Sequence, residues 1–240
     1  MVTKIALLTR DLRVHDNPVL RAAARADRTL PVFVLDEGLL AGSFNRPNRA
    51  VFLRESLRDL RRSLKTLGGG LALRRGDTAV EVARLVGEVG ASEVHVASDV
   101  SGHAAARERR LRDLLAEQGC ALHVHDAVVT ALPPAEVTPA GKDHFAVFTP
   151  YFRRWSATPR RASMPPPAGL RLPSVPLGRL PARTDICDGH PSPDLSPGGE
   201  TEGRRRLRRW LSAGVADYRT GQNDMSVDAT SRLSPYLHFG

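Results

Sequence analysis

The densest group of residues able to do chemistry closes the chain: Thr230-Ser231-Arg232-Leu233-Ser234-Pro235-Tyr236-Leu237. Ser234-Pro235 reads as a helix start, a serine whose oxygen can accept from free backbone N–H groups and then a proline at the first helical position. Hydroxyls gathered at such a start, here Thr230, Ser231 and Ser234, suit a phosphate, because backbone donors and the positive end of the helix dipole converge there. Only six residues follow Ser234. So short a helix is marginal alone, and the sequence is expected to stop just as a second domain begins.

Other candidates carry two readings each. In Thr9–Pro18 (TRDLRVHDNP) the alternating Arg10, Asp11, Arg13 and Asp16 either line a crevice at a strand end or pair with one another to hold the loop. Asp99-Val100-Ser101-Gly102-His103 is either a ligand-binding loop or an ordinary turn with Ser101 capping the next helix. His123 and His125 share one face of a strand. Two histidines without a third ligand nearby are a weak metal signal, so these, with His95 and His103, read as core or surface side chains and no metal is expected. There is no Gly-x-Gly-x-x-Gly after the first strand and no Walker-type loop. No spacing nominates a nucleophile, which leaves catalytic residues unassigned.

The elements that must position these residues follow from hydrophobic period. Strands are expected at Lys4–Thr9, Thr29–Asp36, Leu71–Arg74, Glu93–Ala97 and Ala121–His125, with helices near 17–26, 48–67, 77–89 and 102–118. The second helix is the clearest: Leu53, Leu57, Leu60, Leu64 and Leu67 make one apolar stripe, ended by Gly68-Gly69-Gly70. Strands alternating with helices imply a doubly wound α/β domain on a parallel five-stranded, Rossmann-like sheet. Fourteen of the 18 prolines lie within 131–200, so this stretch reads as an ordered connector or a loose linker. Within it, Phe148–Trp155 could form a short helix packed on a domain. A helical pattern resumes at Gly199, with Leu207, Trp210 and Leu211 on one side and five arginines between 204 and 209 around them.

The net charge is +9, and residues 151–210 supply most of it with 12 Arg against 5 acids. Such a region suits either a polyanion such as DNA or a solvated face. No apolar run approaches the roughly 18 residues that span a bilayer, and Cys120 and Cys187 are few and far apart, as in a reducing compartment. A cytoplasmic protein with no membrane partner is expected.

Four segments together resemble the DNA photolyase/cryptochrome family: TRDLRVHDNPVL at Thr9–Leu20, NRPNRAVFLRESLRDL at Asn45–Leu60, KDHFAVFTPYFRRW at Lys142–Trp155, and Tyr218 followed 12 residues later by TSRLSPYL at Thr230–Leu237. The variant most resembled is a bacterial photolyase acting on cyclobutane pyrimidine dimers. The resemblance implies an α/β antenna domain (1–130), an interdomain connector (131–198) and the incomplete start of a helical FAD-binding domain (199–240). It implies FAD contacts at Tyr218, Thr230, Ser231, Arg232, Leu233 and Ser234, and a second antenna chromophore, a folate or a deazaflavin, near Arg49 and Asp99. In the family, reduced FAD passes a light-driven electron to the dimer in damaged DNA, which splits and returns it. A monomer is expected. The family chain continues for about as long again, so these 240 residues alone are expected to bind FAD poorly and not to repair DNA. A cryptochrome-like blue-light sensor and a stand-alone chromophore- or nucleotide-binding module are the alternatives. Ala229 stands where a glycine is common in the family.

Overall fold

The computed structural model describes residues 1–133, 136–141 and 143–239. Lys142, the first residue of the Lys142–Trp155 segment, and the terminal Gly240 lie outside them. Five strands, β1 (Thr3–Leu7), β2 (Arg28–Asp36), β3 (Ala72–Gly76), β4 (Ala91–Ala97) and β5 (Ala121–His125), form one parallel sheet in the order β3-β2-β1-β4-β5. β2 is buried from Thr29 to Leu35, as an apolar run covered on both faces must be. Pro31 is tolerated inside it because pairing with β3 begins only at Val32.

Helices α1 (Pro18–Ala23) and α3 (Pro47–Thr66) cover one face, where Leu57, Leu60 and Leu64 pack with Ala6, Leu8 and Phe33. On the other face α4 (Thr78–Val89) and α5 (Gly102–Ala116) set Val82, Leu85, Leu111 and Leu115 against Ile5, Leu7, Val32 and Val94. The caps are local. Asn17, Asp77 and Ser101 each accept from backbone N–H groups in the first turn of α1, α4 and α5. A one-turn helix, α2 (Glu37–Leu40), follows β2 and is capped by Asp36.

From Leu170 to Leu177 the connector is tied to the sheet domain. The Leu170 N–H donates to the Leu67 oxygen at 2.7 Å, the Thr29 N–H to the Arg171 oxygen at 2.7 Å, and the Leu73 N–H to the Leu177 oxygen at 2.8 Å. Leu170 and Ile186 enter the core under α3. Gly178 makes the close pass possible: its φ is +70°, and a Cβ there would stand 2.6 Å from the Leu73 oxygen. The expected Phe148–Trp155 helix forms as α6 (Phe148–Ala157), but none of its residues is buried, with Phe148 71% and Phe152 49% exposed. Its rings instead stack on one another along the helix. A one-turn α7 (Arg183–Ile186) precedes α8 (Glu200–Arg209), a π-helical turn at Trp210–Gly214, α9 (Tyr218–Gly221) and α10 (Ser234–Phe239). Leu207 and Leu211, expected together on one side of the helical pattern, stand 42% and 59% exposed. No helix among the described residues is long and apolar enough to cross a membrane.

Candidate functional site

From β1 the strand order runs outward through β2 to β3 and then returns to β4, so a crevice opens between the carboxyl ends of β1 and β4. A cavity of about 540 Å³ occupies it. Thr9 and Arg10 enter from the end of β1, Asp36 from β2, Asp99 and Ser101 from the turn after β4, and Arg107 from α5. Phe44, Arg49 and Leu53 roof it with His238 and Phe239 of α10.

The polar groups form a connected set. Arg10 donates to Asp99 Oδ2 at 3.0 Å and to the His238 oxygen at 3.3 Å, and the Ser101 N–H donates to Asp99 Oδ1 at 3.1 Å. Burial opposes ionisation of Asp99, but the Arg10 and Ser101 donors outweigh it and hold its pKa below the ordinary carboxylate value. Asp36 behaves alike: burial is outweighed by the Thr78 hydroxyl, which donates to it at 2.6 Å, and by the Leu39 N–H. Burial, with Arg10 and Arg49 alongside, pushes the His238 imidazole below its ordinary value and so keeps it neutral at neutral pH. Two polar atoms of the lining, Thr9 Oγ1 and Arg107 Nε, are buried with no hydrogen-bond partner. Buried polar atoms are normally paired, so these two leave unmet bonding capacity behind the cavity wall, whose apolar part includes Phe33, Leu40 and Leu53.

The closing motif is divided among three hollows. Thr230, Ser231 and Arg232 line a cleft of about 370 Å³ with Arg205, Arg206, Arg209 and Trp210. Leu233 faces a hollow of about 560 Å³ near Arg13 and Arg161, and Ser234 one of about 480 Å³ beside Arg49 and Phe52. Arg232 takes left-handed backbone, φ 50°, and donates to Asp228 at 2.7 Å. Tyr218 packs edge-on against Trp210, with centroids 5.8 Å apart. α10 is tied back to the sheet domain: the Leu12 N–H donates to the Phe239 oxygen at 2.8 Å, and Phe52 contacts both the Tyr236 and Phe239 rings.

The family model for DNA photolyase matches residues 4–169. The chain belongs to the DNA photolyase family. It is 51% identical, over its whole length, to 53% of the deoxyribodipyrimidine photo-lyase of Streptomyces griseus. It is also 30% identical, again over its whole length, to 54% of a cryptochrome DASH of Natronomonas pharaonis. A bacterial class III photolyase from Agrobacterium tumefaciens shares its fold, with a TM-score of 0.87 at 24% identity over 99% of this chain and 50% of that one. The chain thus spans about half the length of these relatives.

In this photolyase-family chain Arg49 and Asp99, named from sequence, line one cavity, whereas the six closing-motif residues do not share a single hollow. The Thr9–Pro18 loop sends one charged side chain to the cavity, and the four do not pair with one another as the second reading had it. Arg10 faces the cavity, while Arg13 donates to the Asp16 and Val128 oxygens, Asp16 pairs with Arg161, and buried Asp11 accepts from Asn17. Ser101 caps α5 and also lines the cavity. Sequence reasoning missed Asp36, Arg107 and His238. Asp36 ends a recognised strand and was the accessible signal; Arg107 sits in a helix dense with arginines, where nothing distinguishes it. His95, His123 and His125 adjoin at the β4–β5 edge, with His95 Nδ1 2.9 Å from His125 Nε2.

Proposed function

We propose that this chain forms the light-gathering half, and the first wall of the flavin site, of a photolyase that splits cyclobutane pyrimidine dimers in DNA. The observation that carries the reading is its match, over every residue, to the Streptomyces griseus photo-lyase. Residues 1–130 are the antenna domain, 131–198 the connector and 199–240 the start of the helical domain. Bound reduced FAD supplies the photo-excited electron donor.

The chain's own residues bind and orient. Thr230, Ser231 and Arg232 hold the FAD phosphates, and Tyr218, Leu233 and Ser234 continue the wall. The chemistry of the donor set fits, since hydroxyls and guanidiniums are the groups that bind phosphate oxygens. The second chromophore, a folate or a deazaflavin, lies in the switch-point cavity against Arg49 and Asp99. The polar side chains of Arg10, Asp36 and Ser101 line the same cavity and support a ligand with polar edges there. The ionised Asp99, fixed by Arg10, would offer an acceptor to a donor on that group, and Phe33, Leu40 and Leu53 would exclude water around it.

The test is a chimera joining this chain to the remaining half of the Streptomyces griseus protein. Blue-light-dependent loss of dimers from irradiated DNA, with flavin absorbance in the purified chimera, is the expected outcome; the 240 residues alone are expected to show neither. A chimera that carries flavin and leaves dimers intact under light would refute the reading.

A further inference from the structure

One guanidinium at the end of β1 reaches two distant parts of the chain at once. Arg10 donates to Asp99, in the turn after β4, and to the His238 oxygen in α10, and its other amino nitrogen lies 3.5 Å from His238 Nδ1. These partners stand 89 and 228 residues away in sequence. The Asp99 side chain is only 5% exposed, so its charge needs the cation beside it. Two residues beyond Arg10, the Leu12 N–H donates to the Phe239 oxygen. The last carbonyls of a helix lack internal donors and carry the negative end of its dipole. The loop after β1 brings a donor and a cation to that end of α10. With six residues, α10 is too short to hold its shape unaided. Phe52 meets the Tyr236 and Phe239 rings, and the Tyr236 hydroxyl bonds the Pro197 oxygen, but the charged tie to α10 runs through Arg10.

We propose that Arg10 is a positioning residue that couples the switch-point cavity to α10: it ties the Asp99 carboxylate to the helix that continues the closing motif. The cavity has His238 and Phe239 in its wall only while α10 is docked. A group bound there touches more protein in the docked state than in the released one, so it binds that state more tightly and, by linkage, holds α10 down. Docked α10 in turn fixes Ser234, its first residue, and Leu233, whose oxygen accepts from the Leu237 N–H. The identity of the bound group rests on the chromophore reading above; the tie itself rests on Arg10. Charge-assisted bonds are roughly twice as strong as neutral ones, so the guanidinium weighs more in the docking of α10 than the single Tyr236 bond does.

The experiment is hydrogen exchange in the 240-residue chain, read by NMR at the Leu12 amide, which is bonded to α10 and opens when α10 leaves. The Thr29 and Leu73 amides, bonded to the connector, serve as controls for the rest of the sheet domain. Arg10→Gln is expected to speed Leu12 exchange by about tenfold relative to both controls, and Arg10→Lys to recover part of the loss. Asp99→Asn removes no hydrogen bond to α10, yet is expected to speed Leu12 exchange by about threefold, and to add nothing in the Arg10→Gln background. That double variant leaves no buried carboxylate unpaired, and circular dichroism checks that each variant folds. The Leu237 amide is expected to follow Leu12. Unchanged Leu12 exchange in Asp99→Asn, additive effects in the double variant, or a Leu237 amide that stays protected would each overturn the coupling. 5-Deazariboflavin and 5-formyltetrahydrofolate are then titrated, with absorbance reporting binding. The one that binds is expected to slow Leu12 exchange by about fivefold in the wild-type chain and not in Arg10→Gln. Binding without that slowing would overturn the coupling and leave the chromophore reading standing. Binding of neither probe would overturn the chromophore reading, while the tie through Arg10 would stand or fall by the variants.

Discussion

Thr9 places a hydroxyl in a mostly apolar part of the cavity wall, buried and without a hydrogen-bond partner. Such a group costs folding free energy unless a ligand satisfies it. Thr9→Val keeps the shape and removes the oxygen. It is expected to raise the stability of the free chain by about 1 kcal/mol in urea unfolding. A variant that loses stability would show that the hydroxyl is structural. Asp99 and Arg49 could be named from sequence because they sit in recognisable segments. Thr9 and Arg107 could not be singled out, because an unsatisfied polar atom is defined by what surrounds it in space.

At the scale of elements, the β4–β5 edge gathers Lys4, Glu93, His95, His123 and His125 on one face. Glu93 accepts from Lys4 at 2.9 Å and lies 3.2 Å from His123. It is also 3.1 Å from His95 Nε2, an alignment too poor for a hydrogen bond. Burial, reinforced by His125 and His123, pushes the His95 pKa down to about 4, and burial lowers His125 as well. The unfolded chain therefore binds protons near pH 6.5 that the folded chain refuses, so stability falls as pH drops from about 6.5 toward 4. Glu93, lowered chiefly by Lys4, adds a further loss as pH falls through its own range below about 4.5. Urea unfolding is expected to show a decline of up to about 3 kcal/mol between pH 7 and 4, flattened in His95→Leu. An equal slope in that variant would remove His95 as the cause. The strands and their faces were legible from alternation; the contact of His95 with His123 and His125 depends on register between strands, which local pattern does not fix.

At the scale of the whole molecule, α10 joins the two ends of the chain's chemistry. Its first residues continue the closing motif, and its last two, His238 and Phe239, wall the switch-point cavity. Phe239 stacks on Phe52 at 5.7 Å, and the Tyr236 hydroxyl donates to the Pro197 oxygen at 2.6 Å. Phe239→Ala is expected to cost about 1–3 kcal/mol and to weaken chromophore binding, because it removes both a packing contact and part of the cavity. Tyr236→Phe loses one hydrogen bond, about 1 kcal/mol, and is expected to leave chromophore affinity unchanged. Differential scanning calorimetry with a chromophore titration separates the two; equal affinities in wild type and Phe239→Ala would show that α10 merely lies alongside the cavity.

The parallel α/β sheet, its helices and the family were determined by the sequence alone, because apolar period and cap residues act within a few positions of each other. The tertiary structure decided the rest. The connector, rich in proline, reads equally as an ordered connector or a loose linker until its backbone donors and acceptors meet Thr29, Leu67 and Leu73, more than a hundred residues away. The closing motif is one run in the sequence, and only the fold sets Leu233 and Ser234 against hollows other than the one that Thr230, Ser231 and Arg232 line. Both outcomes depend on contacts between distant segments, whose partners are chosen by the packing of the sheet and not by neighbours in the chain.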